Sequence, residues 1–192
     1  MKKLALIAIV GLVATHVCAQ DLSKGVNELG LSGNIKLDEP EPIDYQIDLD
    51  VKYGRFVRDR FQIGAHVGMA ANDLSWTLTV GPFAEYNFNL GNRWPRLQKF
   101  VPFVGASIAL ATAELESPTS WDDADLEVRR GESITKTESS SGIALIGETG
   151  LKYFVSDAVA LTAGFSFSWS SDDVFGGESD AKNIKLGVRA YF

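Results

Sequence analysis

The sequence predicts an all-β chain folded as an eight-stranded antiparallel up-and-down barrel, and three observations carry that reading. Apolar residues recur with period two through most of the chain, with no convincing helical spacing at i, i+3, i+4 and i+7. Beyond the first twenty residues there is no run of about eighteen apolar residues that could cross a membrane as a helix. The connections also differ in length, tight turns alternating with long polar stretches, as in a meander with its hairpins gathered at one end.

The chain opens on an address. Met1-Lys2-Lys3 is a basic start, Leu4 to Val13 is an apolar run too short to span a bilayer, and Val17-Cys18-Ala19 suits cleavage before Gln20. Residues 1–19 are expected to be a cleaved secretory signal peptide, and 20–192 the barrel domain. Lipidation of Cys18 ranks second, because Thr15-His16-Val17 is not a lipobox. Cleavage would leave no cysteine and one histidine, His66.

Each strand follows from its alternation. The first, about 28–37, places Leu29, Leu31, Ile35 and Leu37 on one face. The second, about 43–54, is the clearest: Ile43, Tyr45, Ile47, Leu49, Val51 and Tyr53 interleave with Asp44, Gln46, Asp48, Asp50, Lys52 and Gly54. The third, about 61–71, shows Phe61, Ile63, Ala65, Val67 and Met69, and the fourth, about 74–88, runs from Trp76 through Val80 and Pro82 to Tyr86 and Phe88. The fifth spans about 100–113 with Phe100, Pro102, Val104, Ile108 and Leu110. The sixth, about 142–154, carries Ile143, Leu145, Leu151 and Tyr153. The seventh, about 159–170, has Leu161, Phe165, Phe167 and Trp169; the eighth, about 182–192, closes the set with Ile184, Leu186, Val188, Ala190 and Phe192.

Tight turns are expected at Arg58-Asp59, Asn72-Asp73 and Ser156-Asp157, an intermediate one over 90–99, and long loops over 114–141 and 171–181. A faint repeat, Phe56-Val57-Arg58-Asp59-Arg60-Phe61 against Phe154-Val155-Ser156-Asp157-Ala158-Val159, predicts two equivalent hairpin turns. Pro82 and Pro102 interrupt predicted strands, where proline removes a ladder hydrogen bond, so a shared bulge or frayed pairing is expected between strands four and five.

Composition excludes several functions. A chain of 192 residues and 20.9 kDa is one domain, and 45% hydrophobic with 22% charged residues is not a disordered composition. Lys plus Arg number 18 against 25 Asp plus Glu, a net charge of −7, so nucleic acid is not an expected partner. One cysteine rules out a disulfide framework, and two histidines leave little for metal or acid–base chemistry. Neither cofactor nor metal is expected. Asp122-Asp123-x-Asp125 lacks the Gly and terminal Glu spacing of a calcium loop.

Alternation alone leaves open which face points inward. Three features favour apolar-out, and so a transmembrane β-barrel. The apolar faces are continuous while the opposite faces mix Gly, Ala, Ser, Thr and charges. Tyr53, Phe56, Phe61, Tyr86, Phe88, Phe100, Tyr153 and Phe192 gather at the short-turn end, with Trp76, Phe167 and Trp169 at the other, as interfacial belts require. The sequence also closes on an aromatic residue of an alternating strand.

The ending Ile184-x-Leu186-x-Val188-x-Ala190-x-Phe192, with Glu28-Leu29-Gly30, Tyr53-Gly54-Arg55-Phe56, Val80-Gly81-Pro82-Phe83 and Val101-Pro102-Phe103-Val104-Gly105, resembles the small eight-stranded bacterial outer-membrane β-barrel family of OmpA-like and OmpX-like domains. The resemblance covers nearly all of 20–192. Ala190 stands where the terminal signal often has an aromatic, and Tyr191 falls on the opposite parity. The resemblance implies a bacterial outer-membrane location, lipid contact, and recognition of Ile184, Leu186, Val188, Ala190 and Phe192 by the barrel-insertion machinery. No peptidoglycan-binding domain is expected to follow, and a monomer is expected.

With the apolar face outward, the interior set is Lys36, Asp44, Asp48, Asp50, Lys52, His66, Glu85, Glu148, Lys152, Lys185 and Arg189. Acids and bases facing one another in a narrow lumen must pair, which predicts a salt-bridged interior rather than a wide pore. A proton or small-ion path along the same groups is the sharper alternative. No catalytic residue is expected. Some barrels of this size modify lipid A, but His66 lies on the polar parity, away from lipid. The acidic stretch 114–141 is the candidate contact for an extracellular ligand. The expected role is structural or surface-interacting; a soluble lipocalin-like carrier is the runner-up.

Overall fold

The computed structural model describes residues 22–37, 45–72, 75–90, 97–118, 135–171 and 180–192. Eight strands form one closed barrel: β1 (Asn27–Leu37), β2 (Tyr45–Arg58), β3 (Phe61–Asn72), β4 (Ser75–Asn87), β5 (Phe100–Pro118), β6 (Thr135–Ser156), β7 (Val159–Ser170) and β8 (Asp180–Tyr191). Each strand pairs antiparallel with the next, and β8 returns to β1 from Glu28↔Tyr191 to Gly33↔Leu186. No described helix is long and apolar enough to cross a membrane.

The alternation resolves as apolar-out. Leu110 is 71% exposed, Ile184 67% and Leu186 65%, whereas Lys152, Glu85 and Gln62 are at most 1% exposed. A wall of exposed aliphatic side chains around a charged interior is the reverse of a water-soluble barrel, so the lipocalin-like runner-up falls. The wall belongs in hydrocarbon. β1, β3, β7 and β8 have 11 or 12 residues, close to what a tilted strand needs to cross a bilayer.

Two strands overshoot. β5 has 19 residues and β6 has 22, and their ladder continues past the last outward apolar pair, Leu110↔Ile143, from Ala111↔Gly142 to Pro118↔Thr135. The stretch read as loop 114–141 is therefore largely strand at both ends. Thr135 to Ser141 holds no apolar residue, so nothing alternates there, and the ladder to β5 carries the pairing.

The sequence repeat marks two bulged hairpins. Pairing shifts between Phe56 and Arg58 in β2–β3, and between Phe154 and Ser156 in β6–β7. Arg60, at φ 67, sits in the left-handed region that the first turn needs. Phe56 and Phe154 both point inward and, with Leu22, Val101, Ala160 and Tyr191, form an apolar floor across the short-turn mouth. Phe56 is thus not part of the interfacial belt: it shares the inward parity of Gly54 and Lys52, and it is fully buried. The belt consists of outward rings, with Tyr53 6.5 Å from Phe192, Tyr86 5.0 Å from Phe88 and Phe100 4.9 Å from Tyr153 between centroids.

The prolines behave differently from each other. The β4–β5 ladder skips Gly81 and Pro82 but resumes in the same register, from Val80↔Leu110 to Phe83↔Ser107, so it is interrupted without a bulge. Pro102 lies at the start of β5 and contributes its carbonyl, which accepts the Phe88 N–H at 2.8 Å. The expected shared irregularity is absent because Pro82 is in mid-strand, away from Pro102.

Candidate functional site

Inward positions of all eight strands stack into layers above the apolar floor. The deepest polar layer centres on Glu28, set by β1 directly opposite Tyr191 of β8. Its carboxylate accepts Lys152 Nζ at 2.7 Å, Arg189 Nη1 at 2.6 Å and Gln62 Nε2 at 3.1 Å. Glu85 completes the set, taking Lys152 Nζ at 2.6 Å, Gln62 at 2.8 Å and Asn87 Nδ2 at 3.2 Å, with Arg189 Nη2 at 3.8 Å. Two acids face two bases, all but dry. Such an arrangement is tolerable only because each charge has its counter-charge and further hydrogen bonds.

Backbone without side chains makes room for these groups. At Gly30 a Cβ would lie 2.7 Å from Arg189 Cδ and Nη1, so a side chain there would push the Arg189 side chain off its present path to Glu28. Gly150 and Gly164 face each other across β6–β7, and the Phe103 ring covers both from within. Lys152 Nζ lies 5.5 Å and the Arg189 guanidinium 5.9 Å from the Phe103 centroid, so the same ring presents its face to both cations.

The next layer joins Lys52 to Glu148 in direct contact, and Lys185 to Asp50 at 3.5 Å and Glu148 at 3.6 Å. His66 Nδ1 is 3.6 Å from Asp50 Oδ2. Lys52 lies 5.3 Å from the Phe83 ring, as Lys152 does beside Phe103. Asp48 is buried one inward step above Asp50. Small hydroxyls line the lumen from this layer on: Ser166 stands directly across from Glu148, and Thr77, Thr79, Ser107 and Ser170 are likewise buried.

Of the residues expected inside, the structure places Asp48, Asp50, Lys52, His66, Glu85, Glu148, Lys152, Lys185 and Arg189 in the lumen. Asp44 and the side chain of Lys36 lie outside the described residues. The hub was missed. Glu28 shares no parity with Leu29 and Leu31, which is the signal that would have placed it inside. Gln62, Asn87 and Tyr191 follow the same parity rule, and Tyr191 packs on Phe154 at 5.2 Å. His66 is 2% exposed and faces Asp50 rather than lipid. Among the described residues no group of three or more metal-ligating side chains is assembled. Ile184, Leu186 and Val188 face outward on β8, and Asn27 and Phe192 exchange backbone hydrogen bonds of 2.8 and 3.0 Å at the seam.

Neither a protein-family model nor a curated protein matches the sequence. Solved structures do match. The crystal structure of Neisserial surface protein A (NspA) aligns with a TM-score of 0.61 at 16% identity, covering 88% of this chain and 98% of that one. The N-terminal β-barrel domain of Pseudomonas aeruginosa OprF aligns at 0.56 and 14%, covering 88% and 98%. Ail, the attachment invasion locus protein of Yersinia pestis, aligns at 0.50 and 12%, covering 88% and 99%. At such identities the likeness is one of fold. The chain has the fold of the small bacterial outer-membrane β-barrels: eight antiparallel strands, apolar outward and charged within.

Proposed function

We propose that this protein resides in the bacterial outer membrane and acts at the cell surface through the β5–β6 ribbon, with a lumen plugged by its own paired charges and no catalytic chemistry. The observation that carries the reading is the ribbon. Four residue pairs, Leu115↔Glu138 to Pro118↔Thr135, run roughly 13 Å along the strand direction past Trp76, the last outward ring of β4. From Thr135 to Gly142, β6 has no β7 partner among the described residues, and in this reading a partner's strand adds along that edge. Trp76 Nε1 braces the ribbon's base by donating to Glu114 at 2.9 Å. Ail, which shares the fold, is by its name an attachment protein, and this supports a contact role.

In this reading residues 1–19 are the cleaved signal, the tight turns are periplasmic, and β8 is the strand that the insertion machinery engages. The interior ion pairs favour a closed lumen over a general pore. The test replaces 115–138, the ribbon beyond Trp76 together with its connection, with a two-residue turn. The barrel should keep its heat-shifted gel mobility, while binding of whole cells to host or neighbouring surfaces falls to the level of a deletion strain. Surface binding that survives the shortened ribbon refutes the proposal.

A further inference from the structure

Charge is divided along the barrel axis. In sequence, the connection 38–44 holds Asp38, Glu39, Glu41 and Asp44 with no base, and 172–179 holds Asp172, Asp173 and Glu178 with no base. The short-turn end has the opposite sign: Arg55, Arg58, Arg60 and Lys99 stand against Asp59 and Asp157, and the Asp59 carboxylate is already engaged by the Lys24 backbone N–H at 2.9 Å. Every described lumen cation sits beside a carboxylate, whereas neither Arg55 nor Arg58 has an ion pair among the described residues.

Depth identifies the missing counter-charge. Arg55 follows Tyr53 by two residues on the same outward face of β2, roughly 7 Å nearer the short-turn mouth. Tyr53 and Phe192 form one of the ring pairs that mark the interface on this side, so the Arg55 guanidinium lies at headgroup level, beside the wall rather than over the lumen. Arg58, exposed at the β2–β3 turn, extends the same basic strip outward.

Resting on the membrane reading above, we propose that Arg55 and Arg58 form a seat for the phosphate of an anionic glycerophospholipid in the leaflet at the short-turn end. Tyr53 and Phe192 flank its acyl chains. The guanidinium fork gives two parallel hydrogen bonds to a phosphodiester, and the acidic opposite end repels the same headgroup. The barrel thereby selects anionic lipid on one side only.

Native mass spectrometry of the purified mature barrel, released from detergent with either palmitoyl-oleoyl-phosphatidylglycerol or the matching phosphatidylcholine, tests the seat. The wild-type barrel should retain phosphatidylglycerol preferentially, and each of R55Q and R58Q should reduce that preference roughly fivefold. Millimolar glycerol phosphate should leave the lipid in place. Equal retention of the two lipids, an unchanged preference in R55Q/R58Q, or displacement by glycerol phosphate each overturns the proposal, the last by pointing to a free-anion site. Heat-shifted gel mobility is read on every sample, so an intact barrel without lipid preference is distinguished from failure of the membrane reading. R55Q alone serves if the double variant does not fold.

Discussion

Glu28→Ala is the sharpest perturbation of the lumen. It removes the carboxylate that accepts Lys152 at 2.7 Å and Arg189 at 2.6 Å, and leaves both cations to share Glu85, which Arg189 reaches only at 3.8 Å. Lys152 and Arg189 are 0% and 3% exposed, so water cannot replace what is lost. Breaking a buried ion pair from one side costs about 3–5 kcal/mol. Arg189→Met should cost a comparable amount, because Glu28 and Glu85 then face Lys152 alone. The double variant is different: one acid, Glu85, and one base, Lys152, remain 2.6 Å apart, and the lumen is again balanced. It should be destabilised by no more than either single variant, a coupling of about 3 kcal/mol or more. Urea unfolding of barrels refolded into bilayer vesicles, followed by tryptophan fluorescence and by heat-shifted mobility, measures all three. Additive losses would refute the account, since they would mean that Glu28 and Arg189 do not depend on each other.

Protease added to intact cells should cut within 119–134 and spare the turns at Arg58-Asp59 and Ser156-Asp157; cleavage at Lys99 reverses the orientation. Reconstituted wild-type barrel should give no stable porin-sized conductance in planar bilayers, and a large steady conductance removes the plug. Deleting Phe192 takes away a half-buried ring and its pairing with Asn27, less than the ~1.5–3 kcal/mol of a fully buried one, so refolding in detergent should be near normal while outer-membrane levels in cells fall. Normal outer-membrane levels would mean that β8 is not what the insertion machinery reads. Gly30→Val should mimic part of the Glu28→Ala loss, because its side chain would occupy the path of Arg189; a stability equal to wild type contradicts that packing.

Legibility in the sequence followed solvent contrast. Ile47, Leu49, Val51 and Tyr53 face lipid while Asp48, Asp50 and Lys52 face the lumen, so β2 alternates unbroken from Ile47 to Tyr53 and is read directly there. Where no apolar residue occurs, as from Thr135 to Ser141, alternation offers no contrast and the strand leaves no mark in the sequence. Glu28 and Phe56 were legible in principle, since parity with Leu29 and Tyr53 fixes their direction, but each was read within a local motif or an aromatic belt rather than along its strand. Leu22 carries no such signal. It lies outside any alternating run, is buried in the floor cluster, and its carbonyl accepts the Arg60 N–H at 2.7 Å. The partners of each lumen charge were likewise out of reach, because they depend on the stagger between strands, which alternation does not encode.

The apolar floor makes the lumen a cup rather than a tube. Leu22, Phe56, Phe154 and Tyr191 close the short-turn end with side chains that offer water almost nothing, while hydroxyls line the approach from the other end. Whatever approaches the lumen charges from the short-turn side must first displace these rings. Glu28 and Lys152, joined at 2.7 Å directly above that floor, are sealed from this side, so backbone amides at their positions should exchange slowly although the exposed turns at Asp59 and Asp157 exchange fast.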